Sequence, residues 1–289
     1  MSEKRTDCEY LIIGAGIIGL SIAKSIKERN HAAKIIVLEK ENKVAAHASG
    51  RNSGVLHAGF YYTEDSFKAR FAKEGNKRLT EFCRKNKLRI NNAGKVVVAK
   101  NENEAEVLHE LKKRGDKNGV NISLITKNEM EKLEPAARTY KEALYSPTTS
   151  TVDPEQIVNF LAEKLKQLDV DFCFNEGYKE NLGSNKVQTK TGRIINADII
   201  VNAAGLYADK VARDFGFSKN YTIIPFKGIY LKNRKGSSLP ITKHIYPVPD
   251  IHNPFLGVHF TTAVDGAIKL GPTAIPAFWR ENYHGFDNF

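Results

Sequence analysis

Apolar residues come in short blocks separated by polar and glycine-containing turns, and the period of each block predicts an element. Glu9 to Ile13 reads as a buried strand, Ile17 to Arg29 as a helix with Ile18, Ile22 and Ile26 on its inward face, and Ile35 to Glu39 as a second strand. A strand that must re-enter parallel to its predecessor needs a crossover helix, so this opening predicts a doubly wound α/β sheet. Ala45 to Tyr62 is small, polar and punctuated by glycine, which predicts a loop with short turns. Helices are expected at Phe67 to Asn86 and Glu102 to Asn118, with a strand at Lys95 to Lys100 between them. After Val152-Asp153-Pro154, an amphipathic helix over Glu155 to Leu168 turns Ile157, Phe160, Leu161 and Leu165 inward, and Asp169 to Asn175 follows as a strand. Asp198 to Asn202 is a buried strand leading through Ala203-Ala204-Gly205 into a helix from Tyr207 to Phe215. From Thr222 the pattern becomes β-rich, as expected of a second, antiparallel, substrate-side domain.

The first turn carries chemistry. Gly14-Ala15-Gly16-Ile17-Ile18-Gly19 is a G-x-G-x-x-G placed after a strand and before a helix, and Glu39 ends the next strand 20 residues beyond Gly19. Such glycines permit the tight turn, let backbone approach a pyrophosphate and let helix and strand pack closely, while the helix N-terminus faces the phosphate charge. Glu39 is suited to accept a hydrogen bond from a ribose hydroxyl, and its charge disfavours a 2′-phosphate, leaving NAD and FAD. A second glycine- and hydroxyl-rich segment, Ser49-Gly50-Arg51-Asn52-Ser53-Gly54, points to the more extended FAD. Ala203, Ala204 and Gly205, with Asp209 in the following helix, resemble the further nucleotide contact of the two-dinucleotide-fold flavoproteins. The expected cofactor contacts are thus Gly14, Gly16, Ile17, Ile18, Gly19, Glu39, Lys40, Ser49, Arg51, Asn52, Ser53, Gly54, Ala203, Ala204 and Gly205.

Composition narrows the setting. A chain of 289 residues that is 41% hydrophobic and 27% charged has enough material for one large or two modest cores. Cys8, Cys83 and Cys173 are scattered and odd in number, so neither a disulfide framework nor a metal site is suggested, and a reducing, cytoplasmic compartment is expected. No signal, transit or membrane-spanning segment is expected. The net charge of +11 arises from basic residues interleaved with acids, without an arginine-rich arm or zinc finger, which argues against nucleic acid. Anionic ligands and the inner face of an anionic membrane are the partners that charge favours.

Longer strings are more specific. Arg51 to Tyr62 (RNSGVLHAGFYY), Pro225 to Tyr230 (PFKGIY), Ile245 to Asp250 (IYPVPD), Pro254 to Thr261 (PFLGVHFT) and Gly271 to Ala274 (GPTA) resemble, in order, the motifs of the L-2-hydroxyglutarate dehydrogenase/oxidase family of D-amino-acid-oxidase-like flavoproteins. The resemblance runs from about Tyr10 to the last residues. It implies a Rossmann-like FAD-binding domain with a β-rich antiparallel substrate domain, and FAD-dependent oxidation of a small 2-hydroxy acid, with quinone or oxygen taking the electrons. The expected partition is residues 1–90 and 145–220 for FAD, and 91–144 and 221–289 for substrate, with the family's final FAD-binding segment expected beyond Phe289. Hydride loss from the α-carbon requires a proton acceptor for the hydroxyl and cations for carboxylates. His57 and His259 are the candidate bases, Lys227 and Arg51 the candidate counter-charges, and Tyr61, Tyr62 and Tyr246 candidate hydroxyl donors, with Tyr61, Lys227 and Tyr246 expected at the substrate. An amino-acid or amine oxidase on the same scaffold, or a non-catalytic nucleotide-binding fragment, are the alternatives.

Overall fold

A computed structural model describes residues 5–234, 236, 239–250 and 257–286. The chain divides into two compact units. One comprises Met1–Asn52, Pro154–Pro225 and Ala277–Phe289, and the other Ser53–Asp153 and Phe226–Pro276.

In the first unit, a six-stranded sheet runs in the order Tyr178–Gly183, Lys186–Thr189, Ile194–Asn202, Arg5–Ile13, Ile35–Leu38, Asp171–Cys173. Its last four strands are mutually parallel and its first three antiparallel. Leu11, Ile12, Val37 and Leu38 are almost wholly buried at the sheet's centre, which is why the parallel strands read as unbroken apolar runs. The helices Ile17–Arg29 and Pro154–Lys166 pack on one another. Pro154 opens the second of these, where its missing N–H costs nothing.

The first helix turns differently from the hydrophobic pattern. Gly19, Leu20, Ala23 and Lys27 are buried, Ile22 and Ile26 are half-buried, and Ile18 is 63% exposed. Close approach explains this: a Cβ at Gly19 would sit 2.1 Å from the Gly14 carbonyl oxygen, so small residues rather than large ones must face the strand. Lys27 lays its stem along the buried face and donates to the His31 carbonyl at 3.0 Å.

The second unit is built on a seven-stranded sheet in the order Leu231–Lys232, Ile268–Gly271, His259–Thr262, His244–Pro247, Lys95–Val98, Glu142–Ser146, Ser123–Thr126. It is antiparallel throughout except where His244–Pro247 runs parallel to Lys95–Val98. The helix Glu102–Lys117 buries Ala105, Leu108 and Leu111 in a core shared with Phe60, Val97, Leu144 and Tyr246.

The unit bounds differ from those expected. Residues 53–90 lie with the second unit because Val55–Leu56 and Ile90–Asn91 both pair with Ser150–Val152, and residues 277–289 lie with the first.

Candidate active site

Two constellations hold the residues that matter, one in each unit. In the first unit, Gly14 adopts φ +110° and its N–H donates to the Leu38 carbonyl at 2.8 Å, closing the turn. A side chain there is barred, since a Cβ would meet the Ala203 carbonyl oxygen at 2.4 Å. The helix behind the turn is capped by Gly16, with no side-chain cap and no acid in its first turn, a terminus that favours an incoming anion. Ser49 Oγ accepts the Ile17 N–H at 2.9 Å and would lie 3.0 Å from a Cβ at Gly16. The second loop is thereby anchored to the helix start.

Glu39 spans the turn. One carboxylate oxygen accepts the Ala15 N–H at 3.0 Å and the other the Glu41 N–H at 3.0 Å. Each oxygen keeps a second lone pair, so the group retains capacity for a ribose hydroxyl. This turn, its glycine space and its acid fit a dinucleotide such as FAD. The Ala203-Ala204-Gly205 loop is tied to the turn's strand by the Ala203 N–H donating to the Ile13 carbonyl at 3.0 Å.

Lys40 and Arg51 are engaged by the stretch that follows Ala277. Lys40 Nζ lies 2.7 Å from Glu281 and 2.8 Å from His47, and also pairs with Glu41. Burial alone would lower the Lys40 pKa, but the hydrogen bonds it donates to Glu281 and Glu41 hold it above its usual value. His47 Nδ1 meets the Tyr283 hydroxyl at 2.7 Å, and the Arg51 guanidinium stacks on the Tyr283 ring at 4.0 Å. Glu41, His47 and Glu281 are spaced to hold a cation, and the Lys40 ammonium already sits among them. Asp209, expected only as a residue behind the nucleotide loop, is buried and bidentate to Arg280, and accepts from Thr222 and the Ile223 N–H. The Arg280 hydrogen bonds hold its carboxyl well below the usual carboxylate range.

Asn52 closes its own loop, donating to the Ala48 and Ser49 carbonyls. Ser53 and Gly54 fall in the second unit. Ser53 Oγ accepts the Val55 N–H, and the Gly54 carbonyl accepts the Val152 N–H.

The second constellation gathers His57, Tyr61, Tyr246 and His259 in the core of the second unit. Tyr246 stacks on His259 with ring centroids 3.7 Å apart and meets His57 edge-on at 6.3 Å. His259 Nδ1 donates to the Gly257 carbonyl at 2.7 Å, which fixes the tautomer and leaves Nε2 as the basic nitrogen. Burial pushes His259 down to about 4 and His57 to about 3, so both imidazoles are neutral near pH 7. The His57 Nδ1 and the Tyr61 hydroxyl are buried without a partner, and burial raises the Tyr61 phenol well above its usual value.

Two members of this cluster were not expected from the sequence. Lys95 is wholly buried, and His244 Nδ1 accepts the Thr262 N–H at 3.1 Å. Lys227 pairs with Ile275 in a two-stranded ladder and is half-buried. Residues 254–256 of the string around His259 lie outside the described residues.

A family model described as FAD-dependent oxidoreductase (DAO) matches residues 9–288. The chain belongs to this family of FAD-dependent oxidoreductases. Other comparisons agree on fold and cofactor class. An L-2-hydroxyglutarate dehydrogenase of Indibacter alkaliphilus is 39% identical over 96% of this chain, which spans 70% of that protein. An FAD-bound L-α-glycerophosphate oxidase from Mycoplasma pneumoniae superposes with a TM-score of 0.82 at 26% identity, covering 97% of this chain and 75% of the other. A glycine oxidase from Geobacillus kaustophilus gives a TM-score of 0.79 at 18% identity over 94% of this chain and 72% of the other, a likeness of fold alone. As an FAD-dependent oxidoreductase, the protein matches the expected cofactor, and no helix among the described residues is long and apolar enough to cross a membrane.

Proposed function

We propose that this FAD-dependent oxidoreductase oxidises L-2-hydroxyglutarate to 2-oxoglutarate. The observation that carries the substrate is the 39% identity, over 96% of the chain, to an L-2-hydroxyglutarate dehydrogenase. The first unit is the FAD-binding domain in this reading, with Gly14, Gly16, Ile17, Ile18, Gly19, Glu39, Lys40, Ser49, Arg51 and the 203–205 loop holding the cofactor, and Asn52 closing the second loop. When bound, FAD would supply the oxidant for the substrate's α-carbon. The second unit is the substrate domain.

The hydroxyl proton goes to a neutral imidazole, and His259 is favoured because its free Nε2 is set by the Nδ1 bond to Gly257. His57, with a buried unpartnered nitrogen, is the other candidate base. Tyr61 and Tyr246 donate hydroxyls to the substrate, and Lys227 balances its carboxylates. The test is chemical: the purified chain supplied with FAD and an artificial electron-accepting dye forms 2-oxoglutarate from L-2-hydroxyglutarate and leaves the D-isomer and glycine unused. Turnover of glycine in place of the hydroxy acid transfers the protein to the amino-acid oxidases.

The net charge of +11 supports docking on an anionic bilayer, where a quinone takes the electrons in preference to oxygen. Cosedimentation with phosphatidylserine vesicles that weakens as salt is raised is the expected outcome. Equal recovery with neutral vesicles contradicts it.

A further inference from the structure

Lys95 places an amine where no anion among the described residues neutralises its charged form. Its side chain is completely buried, and Nζ has no hydrogen-bond partner. The ammonium lies over three ring faces instead, at 4.3 Å from the centroid of Tyr61 and 4.6 Å from those of Phe60 and Tyr246. Among the described residues of this unit Glu134 is the one buried acid, and its carboxylate is occupied by Thr242 and by the N–H groups of Lys243 and Ala136. A buried cation without an anion is costly, and ring quadrupoles offset only part of that cost. Such an arrangement points to a task other than stability.

The strand register shows on what the charge acts. Lys95 lies opposite His244 on the one parallel pair of the sheet, and the next strand brings His259 against Tyr246. His244 accepts the Thr262 N–H at Nδ1, so its proton sits on Nε2, which is buried and unpartnered. His259 has the opposite arrangement, with Nδ1–H committed to Gly257. A second proton on any of these rings would place a cation beside the Lys95 ammonium in a medium that screens it poorly.

We propose that Lys95 is a positioning residue: its caged, unpaired ammonium adds to burial in opposing a second proton on the imidazoles of His57, His244 and His259, so that the substrate-side base stays unprotonated into more acidic solution. The inference rests on the reading that one of these imidazoles takes the hydroxyl proton. After burial itself, Lys95 is the next influence that lowers His57 and His244, and it lowers His259 as well. Burial brings Lys95 itself down to about 7. Among the described residues, the other titratable groups facing the cluster are Lys243 beside His244, Tyr62 beside Tyr61 and Tyr230 beside Tyr246, and none of them carries a carboxylate.

The test follows the ring carbons of the histidines by NMR across pH in the FAD-loaded protein, in wild type, Lys95→Met and Lys95→Arg. In wild type the three imidazoles are expected to titrate far below the ordinary histidine range, and their resonances to respond as Lys95 deprotonates near neutrality. Lys95→Met is expected to raise their titration by on the order of one pH unit, a tenfold gain in proton affinity, and Lys95→Arg to leave it low. The acid limb of the pH profile for flavin reduction by L-2-hydroxyglutarate should move with it. Histidine titrations unchanged in Lys95→Met, with only the melting temperature altered, overturn the proposal and make Lys95 a packing residue. Should Lys95→Met fail to fold, wild-type imidazole resonances indifferent to Lys95 deprotonation overturn it equally. Imidazoles that respond in a protein that does not oxidise the hydroxy acid support the charge relation and defeat the substrate reading instead.

Discussion

At the scale of single residues, His57, Tyr246 and His259 illustrate what a string of sequence conveys. Their membership of long motifs drew them together before any geometry, and the structure places them in ring contact. Lys95 and His244 escaped because a lysine at the start of a strand reads as solvated. The signal lay in the strand's unbroken apolar run, since Lys95, Val96 and Val97 are all wholly buried on a strand covered on both faces. The tautomer of His259 gives a prediction at this scale. His259→Asn can preserve a donor toward Gly257 while removing the ring nitrogen, so kcat for hydroxy-acid oxidation should fall by about 10²- to 10⁴-fold. Stopped-flow flavin reduction measures the fall and spectral titration measures FAD affinity, which should be unchanged. A loss of FAD binding without a loss of chemistry in the loaded fraction contradicts the assignment.

Among elements, the first turn and helix were legible almost to the residue because the turn's glycines are required by space, not by propensity, whereas the strand before them begins at Arg5 and not at Glu9. The helix Ile17–Arg29 matches the expected bounds. Its buried face does not, because close packing against the strand favours Gly19 and Ala23 over Ile18. Hydrophobicity alone does not reveal that competition. Nor did the sequence show that Arg280 would reach Asp209 across 71 positions, since an ion pair between distant segments leaves no local periodicity.

That pair has a pH signature. Arg280 lowers the folded-state pKa of Asp209, so its stabilisation is complete above the ordinary aspartate value near 4 and is lost as pH falls through the lowered folded value. Asp209→Asn should therefore cost on the order of 3 kcal/mol near neutral pH. In urea unfolding, the gap between variant and wild type should narrow only in strong acid. A gap that is constant from pH 7 to pH 2 removes the ion pair as its cause.

At the scale of the whole molecule, a Rossmann-like unit and a β-rich unit were both anticipated, and the chain does belong to the FAD-dependent oxidoreductases. The boundaries were harder to read. Residues 53–90 look continuous with the nucleotide loop in sequence, yet their two short strands share the ladder partner Ser150–Val152 in the second unit. Long-range pairing decides such boundaries, and periodicity within a segment does not report it. Chemistry is divided in the same way, with the dinucleotide turn in one unit and the neutral imidazoles around Lys95 in the other.

The most direct measurement of the central claim is the visible absorption spectrum of the FAD-loaded protein before and after anaerobic addition of L-2-hydroxyglutarate, with glycine in a parallel cuvette. The flavin band is expected to bleach with the hydroxy acid and to persist with glycine. A band that bleaches with glycine alone, or a protein that takes up no flavin, contradicts it.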